Sequence, residues 1–459
     1  MSAEVTPARR LAYDILRRTF EDGAWTDRAF AAAVARQELD PRELAQARRL
    51  AYGSVQRRGT ADHFVRVLAG RRGGRVDAAA LAALRLGLFE LLWSETADHA
   101  AVDQAVELAK AGTRRSGAPH GRARAASGFV NALLRRAASE REELLGSLDD
   151  STPAGAAVAH SYPEWLAEKW WGELGESEAR LLMAAMNEPA EAAFRVNTLR
   201  AAPAARRRAQ RAGGVEVSGP GVGTLLDPED GIVVVTAGDK VTTRVVTGEL
   251  VPQSRGSQAV VALLDPQPGE RVLDLCAGPG IKTSAIGARM RDRGEIVSLE
   301  VDARRAAEVV ELCARARVTC ARVEVGDATE ADLGSGYDRI LLDPPCTDLG
   351  TLASRPDARW RKSPDDVDRL AAIQRRMLVR AARALAPGGT LVYSTCTISA
   401  AENEAQAAAV AEYVDDVAVD DLGAAHPGLA SRRDPRSLQL LPQRDRTTGF
   451  FCARLRRVG

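Results

Sequence analysis

The chain has 459 residues, too many for one compact core and enough for about three domains of ordinary size. Its 45% hydrophobic and 27% charged residues exclude a wholly disordered or fibrous protein, while a net charge of +1 neither requires nor forbids a polyanionic partner. The charge is uneven: residues 1–140 carry 23 basic against 16 acidic side chains and the remainder 40 against 46, so the N-terminal end is the one suited to a phosphate backbone.

The start, Met1 to Arg10, lacks the apolar core of a secretory leader. The most apolar stretch, Ala78 to Trp93, is interrupted by Arg85 and Glu90. These features predict a cytoplasmic protein without a membrane partner. From Ala8 to about Ala138 apolar residues recur at helical spacing, as in Leu81, Leu84, Leu88 and Leu91, which predicts an all-α bundle over residues 1–140. Breaks are expected at Asp40-Pro41, at Gly70 to Gly74 and at Gly112 to Gly121. The last reads as a mobile basic loop with Arg114, Arg115, Arg122 and Arg124. Residues 151–251 predict a small α+β linker domain, with a helix over Pro163 to Met186 and β-rich runs at Ile232 to Val235 and Val241 to Val246.

Over residues 252–459 the rhythm changes to strand, loop, helix. Strands are predicted at 271–275, 295–299, 322–325, 339–342 and 390–393, short apolar runs alternating with amphipathic helices. That pattern predicts a Rossmann-like α/β domain with a doubly wound, mostly parallel sheet, whose ligand chemistry lies at the strand C-terminal ends. The unusual motifs fall there.

The first strand runs into Cys276-Ala277-Gly278-Pro279-Gly280-Ile281-Lys282, where the glycines let the backbone approach a ligand and a helix begins. Glu300 closes the second strand about 20 residues on, the place from which a carboxylate accepts ribose hydroxyl bonds. A nucleoside cofactor is the reading, since neither the P-loop pattern nor the GxGxxG dinucleotide pattern is present. Asp327 follows the third strand, where it is suited to an adenine amino group, and Asp343 follows the fourth, facing the reacting group. Cys346 and Cys396 follow the fourth and fifth strands. All six cysteines lie in the last 190 or so residues without paired spacing, so neither disulfides nor a metal site is expected. Two thiols beside a cofactor site suit methylation of cytosine at C5: a thiolate adds at C6 and makes C5 nucleophilic, with Lys282 and a sulfonium expected to favour the thiolate.

The run from Arg255 to Gly459 resembles the RNA 5-methylcytosine methyltransferases of the Nol1/Nop2/Sun group, through Cys276 to Lys282, Asp343 to Cys346, Thr395-Cys396 and Glu402-Asn403-Glu404. The resemblance implies S-adenosyl-L-methionine as cofactor, held by Cys276 to Lys282, Glu300, Asp327 and Asp343. It implies Cys396 as nucleophile, Cys346 as the group assisting product release, and Lys282 and Asp343 within the catalytic centre. DNA enzymes of this chemistry need an ENV motif that is absent here, so DNA is not an expected substrate. The N-terminal bundle resembles the NusB domain through Leu84 to Gly87, Ala105 to Lys110 and Phe129 to Arg135. A NusB-like domain ahead of this catalytic domain implies an RNA partner, small-subunit (16S) ribosomal RNA. A transfer-RNA enzyme and a non-catalytic RNA-binding factor are the alternatives, and a monomer is expected.

Overall fold

The computed structural model describes residues 4–36, 39–70, 76–117, 119–200, 214–215, 225, 232–235 and 239–458. The chain divides into two compact units, residues 1–188 with 352–361, and residues 189–351 with 362–459. Among the described residues no helix is long and apolar enough to cross a membrane.

The first unit is helical: α1 (Pro7–Phe20), α2 (Thr26–Val34), α3 (Pro41–Gln56), α4 (Arg58–Ala69), α5 (Ala78–Trp93), α6 (Asp98–Arg115), α7 (His120–Ser139), α8 (Arg141–Gly146), α9 (Pro153–His160), α10 (Glu164–Leu174) and α11 (Glu176–Ala185). Helix α5 is buried on nearly every side and forms the centre of the bundle. Its two interrupting charges are each paired. Arg85 makes a two-pronged bond to Asp62 at 2.7 and 2.8 Å, and Glu90 receives Arg9 at 3.0 and 2.8 Å. Such pairing is the condition on which charges enter a core.

Three expectations are corrected here. The break expected over Gly112 to Gly121 is shorter than read, because Gly112 to Arg115 complete α6 and His120 opens α7. Gly112 is there for packing, since a Cβ would come 1.9 Å from the Tyr13 hydroxyl. The helix expected over Pro163 to Met186 is two helices, split at Gly175, whose φ of +83° ends α10. The run Val241 to Val246, read as β-rich, is helical, in α12 (Asp239–Val246). Its β-branched composition outweighed the stop signal at Gly248, whose φ is +74° and whose N–H closes the last turn on Val245.

Residues 352–361, from far downstream, are stitched into the first unit. Arg359 is completely buried, and its guanidinium donates to the carbonyls of Ser161 (3.1 Å), Leu352 (3.2 Å), Gln56 (3.4 Å) and Met186 (3.4 Å) and to Asn187 Oδ1 (2.9 Å). Three of those carbonyls terminate α3, α9 and α11, so one cation meets the negative ends of three helices. The Tyr162 ring lies 4.0 Å from the same guanidinium.

The second unit holds two sheets. The strands β1 (Ala193–Val196), β2 (Gly214–Val215), β3 (Ile232–Val235) and β4 (Leu250–Pro252) form a small antiparallel sheet in the order β2-β3-β1-β4. The segment 151–251 is thus divided, giving helices to one unit and this sheet to the other. The large sheet runs β10-β12-β9-β8-β5-β6-β7, with β11 also paired to β12. Its strands are β5 (Arg271–Leu275), β6 (Glu295–Glu300), β7 (Ala321–Val325), β8 (Tyr337–Leu342), β9 (Leu385–Thr395), β10 (Val417–Val419), β11 (Leu438–Leu440) and β12 (Phe450–Arg457). Strands β5 to β9 are mutually parallel, as expected, and β10 to β12 add an antiparallel edge. Around this sheet pack α13 (Arg255–Leu264), α14 (Ile281–Arg289), α15 (Ala303–Ala316) and α16 (Pro364–Ala384). Arg195 and Asn197, at the end of β1, tie the small sheet to two of these helices, through Ser284 Oγ (2.9 Å) and the Ala316 carbonyl (2.8 Å).

Replacing Arg359 by methionine should leave several buried carbonyls without donors and cost about 3–5 kcal/mol of stability. Denaturant unfolding of the full chain checks this; a loss under about 1 kcal/mol would show the contacts to be incidental.

Candidate active site

Strand β5 delivers the chain to the glycine-rich turn, and α14 leaves it. Gly280 adopts φ +95°, and a Cβ there would approach the Val309 backbone to 2.9 Å. Gly278 sits where a Cβ would strike Glu300 Oε2 at 2.5 Å; its N–H donates to that oxygen at 2.9 Å. Glu300 ends β6 nearly inaccessible, and its Oε1 accepts the Asp302 N–H at 3.1 Å. Each carboxylate oxygen retains a lone pair beyond these bonds. No side chain caps the N-terminus of α14, so its first amide groups remain for a ligand. Asp327, after β7, is exposed; the Thr329 N–H at 2.7 Å holds its carboxyl below the usual carboxylate range. Cys276 packs its sulfur 4.0 Å from Met377 Sδ, and burial pushes its thiol up.

Behind the turn, Lys282 from the first turn of α14 pairs with Asp343 at the end of β8, and Ser394 Oγ of β9 donates to the other Asp343 oxygen at 3.3 Å. Burial alone would lower the Lys282 pKa, but the Asp343 charge and hydrogen bond raise it, so the ammonium persists. Asp274, on β5 beneath the pair, is pushed up to about 7 by burial against a hydrogen bond from Thr283 at 2.6 Å.

The parallel register of β8 and β9 places Leu342 beside Tyr393, so the loops after these strands emerge side by side. They bring Cys346 Sγ to 3.3 Å from Cys396 Sγ. Asp348 Oδ1 lies 3.0 Å from Cys396 Sγ and 3.8 Å from Cys346 Sγ. A fully buried carboxylate, Glu402, locks the two loops together. It accepts the Thr347 N–H (2.9 Å) and hydroxyl, the Thr397 hydroxyl (3.4 Å) and Gln374 Nε2 (3.1 Å), while the Thr347 and Thr397 hydroxyls lie 2.7 Å apart. Tyr393 donates to the Glu402 carbonyl at 2.6 Å.

The attraction between Lys282 and a Cys396 thiolate is present but outweighed. The hydrogen bond with Cys346, burial and the Asp348 charge push the Cys396 thiol well above its ordinary range. For Cys346, the hydrogen bond from Cys396 favours the thiolate, yet burial and the charges of Asp348 and Glu402 outweigh it and the net shift is upward. Lys282 is engaged by Asp343, and both cysteines rest as thiols. Sequence reasoning missed Asp348 and gave Glu402 no task. The Glu402-Asn403-Glu404 motif marked the latter, whereas Asp348 had no signal beyond standing two residues after Cys346.

A parallel sheet with a glycine-rich first turn, a carboxylate closing the second strand and reactive groups on the later loops defines a nucleoside-cofactor methyltransferase. The comparisons with known proteins agree. A family model described as 16S rRNA methyltransferase RsmB/F matches residues 261–456, and the NusB family model matches residues 6–139. A protein of Xylella fastidiosa named ribosomal RNA small subunit methyltransferase B is 32% identical, over 97% of this chain and 99% of that protein. A Mycobacterium tuberculosis protein with a provisional methyltransferase name is 33% identical over 98% and 97%. The crystal structure of a methyltransferase homologue from Pyrococcus horikoshii superposes with a TM-score of 0.56 at 27% identity, covering 67% of this chain and 99% of that one. The chain is an S-adenosylmethionine-dependent methyltransferase and belongs to the 16S rRNA methyltransferase RsmB/F family.

Replacing Glu402 by alanine would leave the Thr347 N–H buried without its acceptor and strip Thr347, Thr397 and Gln374 of a shared carboxylate, at a cost of about 3–5 kcal/mol. The glutamine variant keeps an acceptor and should lose less than half of that, so comparing the two melting curves isolates the network from the volume change.

Proposed function

We propose that this protein methylates C5 of a cytidine in small-subunit ribosomal RNA through a covalent adduct at C6. The observation that carries the reading is the pair of thiols 3.3 Å apart at adjacent strand ends, beside the Lys282–Asp343 pair and the glycine-rich turn. The names of its full-length relatives support ribosomal RNA as the substrate.

The residues of the turn fit the cofactor: glycines where a side chain would collide, uncapped helix amides and a carboxylate held by backbone N–H groups. Cys276 to Lys282, Glu300, Asp327 and Asp343 would hold S-adenosylmethionine, which supplies an electrophilic methyl group. Glu300 accepts ribose hydroxyls and Asp327 the adenine amino group. Cys396 provides the sulfur that bonds to C6, making C5 nucleophilic. Cys346, in contact with that sulfur, assists its departure once C5 has lost its proton. Asp343, held by Lys282 and Ser394, presents a fixed carboxylate toward the base. The basic segment 1–140 supplies affinity for the RNA backbone: Arg114, Arg115, Arg122 and Arg124 are all exposed along α6 and α7. Arg115 and Arg122 meet Asp14 (3.3 Å) and Asp77 (3.7 Å) in exposed pairs too weak to withhold them from phosphates.

Bisulfite sequencing of 16S rRNA incubated with protein and S-adenosylmethionine tests the reading. Cys396→Ala should abolish methylation and retain cofactor binding, while Cys346→Ala should accumulate a denaturant-resistant RNA adduct. Normal methylation by the Cys396 variant would refute the mechanism.

Glu300→Ala should weaken S-adenosylmethionine binding by about 1–3 kcal/mol, the cost of unpaired polar groups. Calorimetry reads this directly, and unchanged affinity would place the ribose elsewhere.

A further inference from the structure

Asp348 is the one carboxylate in contact with both reactive sulfurs among the described residues, and the reading of the site gives it no part. Its backbone is left-handed, at φ +60°, a conformation that Asp tolerates better than most side chains. That turn folds the carboxylate back over the loop toward Cys396 Sγ, while the neighbouring Thr347 is fixed on Glu402. The thiols and carboxylate cluster within 4.8 Å. Two sulfurs on one tetrahedral zinc, each at about 2.3 Å, would stand about 3.8 Å apart. The observed 3.3 Å is closer and is that of hydrogen-bonded thiols.

The surrounding charged and titratable groups are Cys346 on the same loop, Cys396 after β9, Asp343 after β8, Lys282 on α14 and Glu402 beyond β9. Asp343 pairs with Lys282 and Ser394, Glu402 accepts from Thr347, Thr397 and Gln374, and Asp348 Oδ1 accepts from Cys396 Sγ among its contacts. A thiol that must become a nucleophile needs a base within hydrogen-bond reach, and Asp348 is placed there.

We infer that Asp348 is the proton acceptor for Cys396. As the sulfur adds to the cytosine ring, the S–H bond breaks and its proton passes to Asp348 Oδ1. The sulfur lone pair forms the S–C6 bond, and the C5=C6 π pair shifts through C5 and C4 toward N3. In the release step, once C5 carries the methyl group and the pair has returned to C4=N3, solvent water takes the C5 proton, the C5–H bonding pair forms C5=C6, the S–C6 pair leaves with sulfur, and the Asp348 carboxylic acid returns its proton to that sulfur. One residue thus acts as base on addition and as acid on elimination. The assignment rests on the cytosine reading above.

The test uses full-length Asp348→Asn and Asp348→Gly proteins in two measurements. In the first, iodoacetamide alkylation of Cys396 is followed without RNA by mass spectrometry of its peptide across the thiol titration range. Removing the carboxylate charge should move the profile down by about one pH unit. In the second, single-turnover methylation of the RNA should fall by roughly 100-fold in both variants, the ordinary contribution of a proton acceptor. Added formate should restore part of the rate to the glycine variant, whose backbone also relaxes the left-handed turn and protects the fold. An unmoved alkylation profile, or methylation within about threefold of wild type, overturns the assignment. Because alkylation needs no RNA, failure of the cytosine reading and failure of this one are told apart.

Discussion

The site depends on the buried carboxylate of Glu402. Cys346 and Cys396 are 50 residues apart and leave different strands, and parallel pairing of β8 with β9 brings their loops only into the same neighbourhood. Glu402 removes the remaining freedom by accepting from Thr347, one residue after the first cysteine, and from Thr397, one residue after the second. A charge buried at that depth is tolerated because donors surround it, and those donors lie on the loops that must be aligned. The cost of leaving any of them unpaired turns a flexible pair of loops into one rigid unit.

That rigidity creates an electrostatic problem which the neighbouring residues divide among themselves. Two sulfurs in hydrogen-bond contact cannot both ionise in a buried setting, and the nearby carboxylates oppose even one thiolate. The nearby ammonium of Lys282 is held by Asp343. The site therefore holds weakly nucleophilic thiols, whose reactivity depends on transfer of the proton to a neighbouring base. Asp274, poised near neutrality beneath the Lys282–Asp343 pair, shows how strongly burial disfavours further negative charge there.

In the first unit the same rule produces structure in place of chemistry. Arg359 is buried without a carboxylate among its hydrogen-bond partners, its charge distributed over the carbonyl ends of three helices. Arg361 ties down the turn after α1 with a carboxylate's help: it pairs with Asp357 at 3.1 Å and donates to the Gly23 carbonyl at 2.8 Å, while its guanidinium lies 4.6 Å from the Trp25 ring. Both belong to a short segment that follows the Cys346 loop in sequence and becomes part of the helical body.

Much of this was legible in the sequence because it depends on local pattern. Helical spacing marked the bundle, apolar runs marked the five parallel strands, and residue types suited to a ligand or a reaction drew attention to Gly278, Gly280, Glu300, Cys346 and Cys396 at strand ends. The antiparallel strand β12 escaped notice because its continuous apolar half, Phe450 to Ala453, is short and its charged half carries three arginines, and the helix at 239–246 because β-branched residues suit either state until packing decides. The task of Asp348, the clamp at Glu402 and the resting protonation of the thiols were decided by tertiary structure alone. Each depends on distances between groups separated by 48 to 55 residues, and Arg359 reaches a carbonyl 303 residues away. Composition and spacing identify which groups are capable of chemistry; only the folded chain determines which carboxylate faces which sulfur, and proximity at that scale sets both charge state and reactivity.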